Sequence, residues 1–275
     1  MQRQFDFLVS SNPELGAINK SADGSRFSIQ LEDSGFGIPA NAQNVTVSVM
    51  GGELWYNTRN IDSTNNAFSF TTGSGATALT HVVNITPGLY SADTIWAAIQ
   101  NAIELGTSVP LSSVPFTIIG DEAVGKMVVK HNAGSAVVSV INFGITNSIG
   151  PVLGFTAEVA SSPAAIDPAT SGPYIIGAEE PKFNSFNYYL VQSDIVGNGI
   201  RIGSSFNTII AKIMVDANPN KQLLYEPTNP TLVNASNLAG DGRRMYMFSL
   251  LDDSLRPVDT RGEFYSLQLR VSYFD

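Results

Sequence analysis

The sequence has 275 residues, of which 43% are hydrophobic and only 14% are charged, and its formal net charge is −9. A hydrophobic fraction near the globular norm argues against a disordered chain, and this length can bury a sizeable core. The acidic balance, with no basic run longer than Arg243–Arg244, argues against direct binding of nucleic acid, which needs a basic stripe.

The absence of cysteine excludes disulfides, thiol catalysis and Cys-ligated zinc. The N-terminal stretch "MQRQFDFLVSSNPELG" lacks the pattern of a signal peptide. The longest uncharged tract, residues 132–157, is interrupted by Asn, Ser, Gly and Pro, so no membrane-spanning segment is predicted. With so few charges, the surface must be built largely from Ser, Thr, Asn, Gln and Gly. Such a surface suits a chain whose faces are covered by neighbouring subunits or one that works outside a cell.

Strand patterns dominate the first 75 residues of the chain. Residues 25–32 alternate apolar and polar side chains, which predicts a half-buried strand. Residues 44–57 continue this alternation with three valines before the pair Gly51–Gly52, which indicates a bulge or a kink. The segment "STNNAFSFTTGSGATALT" then predicts a short strand between polar turns.

One segment breaks the β pattern and predicts a helix over residues 92–105. Three isoleucines recur at the i, i+4, i+8 spacing of one helix face, namely Ile95, Ile99 and Ile103. Ser91 is a suitable N-cap, Asp93 suits the positive end of the helix dipole, and Gly106 stands where a C′ glycine belongs. Strand patterns on both sides make residues 76–159 a compact β-α-β-β unit.

Residues 160–173, "ASSPAAIDPATSGP", are low in charge and rich in Pro, Ala and Ser, and they are predicted to form a linker. Strand patterns then return. The last, "GEFYSLQLRVSYF", alternates with one slip that indicates a bulge, and its length predicts that it is tucked into a sheet.

The predicted fold class is mainly β: an antiparallel jelly-roll sandwich from residues 1–75 and 174–275, with an inserted small α+β (β-α-β-β) unit at 76–159. Two tandem β-sandwich domains are the alternative. The first layout is favoured because residues 20–60 alone offer too few strands to close a sandwich.

The segment "IIGDEAVGKMVVKH", residues 118–131, contains the P-loop spacing G-x-x-x-x-G-K at Gly120, Gly125 and Lys126. A P-loop needs Ser or Thr after the lysine to hold Mg²⁺, and a helix whose N-terminus faces the phosphates. Met127 occupies the hydroxyl position, the following residues have a strand pattern, and the loop carries two acidic side chains. The segment is therefore predicted to be two strands joined by a tight turn.

The remaining motifs give no catalytic constellation. "GNGIRIG", residues 197–203, departs from the dinucleotide fingerprint by one position and is predicted to form a turn. His81 and His131 each stand at the start or end of a strand, with no third ligand or nucleophile visible nearby, so surface or packing roles are predicted.

Acidic pairs occur at Glu179–Glu180 and Asp252–Asp253, but the sequence does not show whether two carboxylates face one another across a cleft. The second pair lies in a predicted hairpin loop, where a bridging calcium ion is an alternative interpretation. The tyrosines Tyr56, Tyr188 and Tyr189 would stack on sugar rings if they were exposed, although the strand alternation favours the core for most of them. No catalytic, cofactor-binding or metal-ligating residue is predicted, and no cofactor.

Several blocks, in order, carry a resemblance: "SADGSRFSIQL", "IPANAQNVTVSVMGGELWYNTRNI", "ITPGLYSADTIWAAIQNAI", "PVLGF", "FNYYLVQSDIVGNGIRIG", "NTIIAKIMVD" and "VDTRGEFYSLQLRVSYF". Together they resemble the capsid proteins of tailless icosahedral double-stranded DNA viruses, especially jelly-roll vertex (penton) and minor capsid proteins. The inserted unit is large for a plain single jelly roll, so it departs from the simplest form of that family.

The resemblance implies a structural virion subunit in a ring at or near the capsid vertices, with self-association as a pentamer or trimer. Other capsid or spike proteins and a host receptor are the implied partners, with no direct contact to nucleic acid. The virion is the implied location, after assembly in the host cytoplasm. The alternative functions are a viral receptor-binding or carbohydrate-binding (lectin-like) module and, less favoured, a glycoside hydrolase on a sandwich scaffold.

Overall fold

The structure is a computed structural model, and it describes residues 1–32, 35–72, 75–107, 109–110, 114, 116–131, 138–156, 158–160, 174–184, 186–202, 205–217 and 220–275. The chain folds as two compact units. The first unit is made of Met1–Thr58 and Phe186–Asp275, and the second is made of Arg59–Ser185. The first unit is therefore built from both ends of the sequence, with the second inserted between them.

The first unit opens with β1 (Gln2–Ser10), β2 (Ala17–Ile18), β3 (Arg26–Gln30) and β4 (Gln43–Tyr56). The second unit contains β5 (Ala67–Thr72), β6 (Leu79–Asn84), α1 (Ile95–Thr107), β7 (Phe116–Asp121), β8 (Lys126–His131), β9 (Val138–Asn142), α2 (Gly150–Leu153), β10 (Glu158–Ala160) and β11 (Tyr174–Ile176). The first unit resumes with β12 (Tyr188–Ser193), β13 (Arg201–Ile202), β14 (Ser205–Phe206), β15 (Ile209–Met214), β16 (Lys221–Tyr225), β17 (Val233–Asn234), β18 (Met245–Leu251) and β19 (Ser266–Phe274).

The first unit is a jelly roll. Its first sheet has the order β1-β19-β4-β16, with β17 also paired to β4, and its second sheet has the order β15-β12-β18-β3-β2. All of these pairings are antiparallel. The eight long strands are β1, β3, β4, β12, β15, β16, β18 and β19. Along the chain they alternate between the two sheets, as in two Greek keys, except that the consecutive strands β12 and β15 are neighbours in the second sheet. The predicted jelly-roll sandwich is confirmed. Tandem sandwiches are excluded because β4 pairs with β19 and β3 pairs with β18 across the insertion.

The core of the first unit contains an aromatic centre. Phe27 of β3 is fully buried, and its ring lies 5.6 Å from the ring of Phe248 and 5.4 Å from the ring of Tyr265. The Tyr265 hydroxyl donates to the carbonyl of Ser25 over 2.8 Å, so its polar end is satisfied inside the core. These rings fix β3 and β18 to the segment that leads into β19.

The predicted bulge at the glycine pair is confirmed. Gly51 pairs with Gln268 and Val49 pairs with Leu269, so Met50 is an extra residue on β4. A side chain at Gly52 would place its Cβ 2.9 Å from the Leu267 side chain, so glycine permits the close approach of β4 and β19.

The predicted slip in the last strand has a different origin. The strand β19 begins at Ser266, and Phe264 is 44% exposed rather than part of the inward alternation. The buried side chains follow a regular period of two: Tyr265, Leu267, Leu269, Val271 and Tyr273. The sequence contains two aromatic residues in succession, and the second of them occupies the core. As predicted, β19 is central, since it lies between β1 and β4.

In the second unit, one sheet has the order β10-β9-β5-β6 and another has the order β11-β8-β7. The three isoleucines predicted for one helix face are fully buried on α1. They belong to one hydrophobic cluster with side chains from both sheets, including Phe68, Phe70, Phe116, Met127 and Ile141. The β-α-β-β order of β6, α1, β7 and β8 agrees with the sequence pattern.

Both ends of the helix differ from the prediction. The helix α1 begins at Ile95, whose N–H donates to the carbonyl of Ser91 over 3.0 Å. The hydroxyl of Thr94 accepts from the backbone N–H of Ser91 over 2.8 Å, which is the reverse bond of a capping box. Gly106 lies inside the last turn, since the helix ends at Thr107, whose hydroxyl donates to the Ile103 carbonyl over 2.7 Å.

The units also begin and end at residues other than those predicted. The second unit starts at Arg59 rather than at residue 76, because β5 pairs with β6 and β9. The strand β11, predicted as part of the jelly roll, pairs with β8 of the second unit. Of the predicted linker 160–173, Ala160 is in β10, and the other residues lie outside the described part of the chain.

An acidic and an aromatic side chain meet at the start of β18. Asp241 accepts from the backbone N–H of Arg243 over 2.9 Å and from its guanidinium Nε over 2.8 Å. The guanidinium lies 5.0 Å from the ring of Tyr246, and its charge also faces Asp194 at 3.6 Å. Burial acts to raise the pKa of Asp241, but these hydrogen bonds and the Arg243 charge hold that pKa below its usual value.

Asp241→Asn is expected to destabilise the protein at pH 7 and to have no effect in strong acid. The folded-state pKa of Asp241 is depressed, so its stabilisation is present above the ordinary Asp pKa of about 4 and is lost as the pH falls through the folded value. Denaturant unfolding of both proteins from pH 7 down to about pH 2.5 tests this. A difference in unfolding free energy that does not shrink with acidification would contradict it.

Candidate functional site

The segment with P-loop spacing forms a β-hairpin. The strands β7 and β8 pair antiparallel from Phe116 opposite His131 to Asp121 opposite Lys126. The N–H of Gly125 donates to the Asp121 carbonyl over 2.9 Å, and Gly125 has φ +66°, which favours glycine in this turn. The predicted strand, turn and strand are confirmed. Lys126 points to protein rather than to a phosphate site, since its Nζ donates to the Ala178 carbonyl over 2.8 Å.

Lys126→Ala is expected to leave the mass of the species in solution unchanged. It is also expected to leave the binding of ATP and GTP unchanged, because neither nucleotide should bind the wild type. The variant loses one exposed hydrogen bond, which contributes about 1 kcal/mol or less. Light scattering and nucleotide titration measure both effects. Lys182→Ala, which removes another exposed lysine, is the matched control. Saturable nucleotide binding that Lys126→Ala abolishes would show that the hairpin is a phosphate site.

Residues 197–200 also form a tight connection before a strand. The N–H of Gly199 donates to the Asn207 carbonyl over 2.8 Å, and the N–H of Ile200 donates to the Ile209 carbonyl over 2.7 Å. A Cβ at Gly199 would lie 2.2 Å from the Ile209 carbonyl oxygen, so only glycine fits this approach. The short strand β13 follows instead of a helix, as predicted.

His81 is a packing residue, as predicted. Its ring is stacked 5.0 Å from the ring of Phe70, and its Nε2 lies 2.9 Å from the Thr72 hydroxyl. The side chain of His131 lies outside the described residues. No group of three or more His, Cys, Asp or Glu side chains that could hold a metal ion occurs within the described ranges.

The acidic pairs are engaged in local bonds. Glu179 forms an exposed ion pair with Lys182 at 2.7 Å. Buried Asp252 accepts from the backbone N–H groups of Ser254 and Arg256 at 2.9 and 2.8 Å, and from the Arg256 guanidinium at 2.8 Å. Asp253 accepts from the backbone and side chain of Asn187, over 3.0 and 3.2 Å. Asp252 and Asp253 thus hold the turn after β18 in place rather than facing one another across a cleft.

Two of the three candidate sugar-stacking tyrosines are in the core. Tyr56 is 2% exposed and Tyr189 is fully buried, and burial raises the pKa of Tyr189 well above its usual range. Tyr188 is half-buried, and the Lys212 ammonium lies 4.0 Å from the centre of its ring. Neither Tyr56 nor Tyr189 can reach a ligand.

A groove of about 390 Å³ lies on the outer face of the first sheet of the jelly roll. Two leucines that border it are largely exposed, Leu8 on β1 at 65% and Leu224 on β16 at 63%. Gln268 of β19 pairs with both Leu8 and Gly51, so the three residues form one row across the sheet. Because Gly51 has no side chain, a depression remains between the exposed side chains of Leu8 and Leu224. This surface, defined by Leu8, Gly51, Glu53, Leu224 and Gln268, is called the Leu8 face.

An ion pair lies beside the Leu8 face. Arg270 of β19 makes two hydrogen bonds, 2.7 and 2.8 Å long, to the carboxylate of Asp6 on β1. The hydrogen bond from Arg270 lowers the pKa of Asp6, in spite of a smaller opposing effect of burial. This pair adds no net charge beside Leu8, whereas the face itself contains the carboxylate of Glu53, which lies 3.4 Å from the Gln222 amide.

The strand β1 is an edge strand. It pairs with β19 on one side, and within the described residues no strand pairs with its other side. It is nine residues long and contains no proline or lysine, the residues that commonly protect exposed edges. The edge and the Leu8 face are continuous, since Leu8 belongs to both.

In the part of the chain that the structure describes, every helix is too short or too polar to cross a membrane.

No protein-family model matches the chain, and no curated protein sequence matches it. Among solved structures, the chain is similar to the mavirus penton protein, with a TM-score of 0.54, 10% sequence identity and coverage of 100% of both chains. A chain of the Sputnik virophage structure gives a TM-score of 0.46 and 13% identity, over 98% of this chain and 97% of that chain. At so low an identity, the first similarity establishes a shared fold over the entire chain.

Proposed function

We propose that the protein is a structural subunit of an icosahedral virion, at a capsid vertex (penton) or as a minor capsid protein. The observation that carries this proposal is the similarity to the mavirus penton protein over the full length of both chains. A jelly roll alone occurs in proteins of many functions, so the correspondence of the whole chain, insertion included, is the informative part. The blocks of sequence that resemble such capsid proteins agree with it.

Surface features of the jelly roll support assembly through its faces. The exposed leucines of the Leu8 face and the unprotected edge of β1 are surfaces that a neighbouring subunit would cover. A ring of identical subunits covers such surfaces by heterologous contacts, in which two different patches meet at each interface. The low fraction of charged residues, 14%, fits a chain with several covered faces.

The proposed role is structural and not enzymatic. The acidic residues that would serve a glycoside hydrolase are Asp252 and Asp253, and their oxygens accept hydrogen bonds from neighbouring backbone and side-chain groups. A hydrolase needs one carboxyl group free to donate a proton and a second facing it across the substrate. The turn after β18 supplies neither.

The proposed partners follow from this role. They are further copies of the chain, as a pentamer or trimer, together with other capsid or spike proteins and a host receptor. Direct contact with nucleic acid is not proposed, because the net charge is −9. The proposed location is the virion, with assembly in the host cytoplasm.

The mass of the assembled species tests the proposal. We expect light scattering and native mass spectrometry of the purified protein to show a discrete pentamer or trimer, or ordered polymerisation as the concentration rises. A protein that stays monomeric at every concentration and binds glycans would contradict the proposal and favour a carbohydrate-binding module.

A further inference from the structure

The first sheet of the jelly roll has an open strand at each of its two edges. The strand β1 lies at one edge and β16 at the other, and among the described residues neither pairs with a second strand. All pairings in the order β1-β19-β4-β16 are antiparallel, so the two edge strands run in opposite directions.

The hydrogen bonds at the two ends of β1 identify which of its backbone groups are free. The Met1 carbonyl accepts from the N–H of Asp275 over 3.1 Å, and the N–H of Ser11 donates to the Tyr265 carbonyl over 2.9 Å. Opposed residues of an antiparallel pair alternate between bonded and non-bonded pairs, and the register of β1 with β19 is regular. The odd-numbered residues of β1 therefore bond to β19. The N–H and C=O groups of the even-numbered ones point to the open edge, namely those of Gln2, Gln4, Asp6 and Leu8.

The same alternation continues across the sheet to β16. Because the odd-numbered residues of β19 bond to β1, its even-numbered residues bond to β4, where they lie opposite Glu53 and Gly51. The intervening groups of β4 therefore face β16, and the Tyr56 carbonyl accepts from the N–H of Asn220 over 2.7 Å. The residues of β16 whose backbone groups point to the second open edge are then Gln222 and Leu224.

We propose that β1 of one subunit pairs antiparallel with β16 of the next, so that the first sheets join edge to edge around the ring. This inference rests on the proposed assembly into a ring of identical subunits, and it specifies the contact. Because the two edges run oppositely, rotation about an axis along the strands presents β16 of one copy to β1 of its neighbour in the antiparallel direction. The free groups of both edges belong to residues with exposed side chains, so the outer face continues across the joint.

The side chains of the two edges favour one register. With Leu8 opposite Gln222 of the partner subunit, Asp6 lies opposite the partner's Leu224, and Gln4 lies opposite the partner's Glu226. No two carboxylates then face each other, and the Gln4 amide can donate to Glu226. Leu8 and the partner's Leu224 become diagonal neighbours about 7–8 Å apart, within reach of each other's side chains. The joint therefore covers two leucines that are 65% and 63% exposed in the single subunit.

Engineered disulfides test the register, because the protein has no cysteine of its own. In the variant Leu8→Cys with Gln222→Cys, the two positions of a bonded pair across the joint lie about 5.5 Å apart, which suits a disulfide. Within one subunit they are separated by three strand spacings, at least about 14 Å, so no internal disulfide can form. We expect mild oxidation of the assembled variant to produce covalent multimers up to the size of the ring. Gln2→Cys with Gln222→Cys is the matched control, because it displaces the first cysteine by about 20 Å along β1 and should not cross-link.

Gln4→Pro tests the backbone pairing itself. The N–H of Gln4 points to the open edge, so proline removes no hydrogen bond within the subunit, and circular dichroism should show an unchanged fold. Across the joint, proline removes one interstrand bond and obstructs the approach of the neighbouring strand. We expect association, measured by light scattering, to weaken about tenfold. Gln4→Ala keeps the N–H and should assemble like the wild type.

The outcomes separate this contact from the assembly on which it rests. If the wild type assembles but the Leu8 and Gln222 cysteines do not cross-link, or if Gln4→Pro assembles fully, the edge pairing is wrong and the proposed assembly stands. Equal cross-linking of the control pair would also overturn the pairing, because the disulfides would then report chance collisions. A wild type that stays monomeric at every concentration would instead contradict the proposed function.

Discussion

Phe27→Ala is expected to lower the free energy of unfolding of the jelly roll by about 3–5 kcal/mol. The side chain is fully buried, and its ring contacts those of Phe248 and Tyr265. Its removal eliminates buried apolar surface and leaves a cavity between the two sheets. Because folded domains are stable by only about 5–15 kcal/mol, this single change removes a large part of the total.

Denaturant unfolding measures the loss, and hydrogen exchange with mass spectrometry assigns it. Protection should fall in β3 and β18 and stay unchanged in β7 and β8 of the second unit. Phe264→Ala is the matched control, because Phe264 is 44% exposed and contacts the ammonium of Lys20 at 4.2 Å. The control should lose no more than about 1 kcal/mol. Equal losses in the two variants would mean that the aromatic centre does not stabilise the sandwich.

The double substitution Leu8→Glu with Leu224→Glu is expected to abolish assembly and to leave the folded monomer intact. Both side chains are largely exposed, so the monomer tolerates the change. In an assembled ring that covers the Leu8 face, two unpaired carboxylates would be buried at a cost of several kcal/mol. A cost of about 1.4 kcal/mol already corresponds to a tenfold weaker association.

Sedimentation and light scattering measure the mass of the species, and circular dichroism confirms the fold. Leu15→Glu with Leu232→Glu is the matched control, because these leucines are 64% and 68% exposed and neither borders the groove. The control should assemble like the wild type. If the Leu8 and Leu224 variant also assembles normally, then the Leu8 face is not a subunit contact.

Local features of the fold were predictable because they depend on neighbouring residues. The spacing of Ile95, Ile99 and Ile103 predicted the buried face of α1, and the glycine pair predicted the bulge in β4. The ends of the helix were wrong because they depend on competition between similar side chains. Thr94 supplies the side-chain bond at the first turn by accepting from the Ser91 N–H, and the helix continues past Gly106 to Thr107.

The division of the chain was less predictable, because it depends on pairing between distant segments. The alternating pattern of β5 is equally compatible with the sandwich or the insertion, and only its pairing with β6 and β9 assigns it to the second unit. The first strand, β1, was missed altogether. Its inward side chains are Phe5, Phe7 and Val9, but the outward Leu8 is also apolar and obscures the alternation. The strand is recognisable only from its pairing with β19.

The surface proposed as a subunit contact was not foreseen. The Leu8 face combines the first and nineteenth strands, which are far apart in the sequence. The signals that were available are leucines on the polar sides of β1 and β16. The sequence alone does not place them on one surface, because that depends on which strands are neighbours in the sheet.

The insertion leaves and re-enters the jelly roll at neighbouring points of the fold. All eight long strands of the two Greek keys come from Met1–Thr58 and Phe186–Asp275, and none of the described residues between 59 and 185 pairs with them. The rings of Tyr56 and Phe186, which flank the junction, are only 6.0 Å apart, a gap that a short turn can span. Another folded sequence could therefore replace residues 59–185 without breaking a strand pairing of the jelly roll.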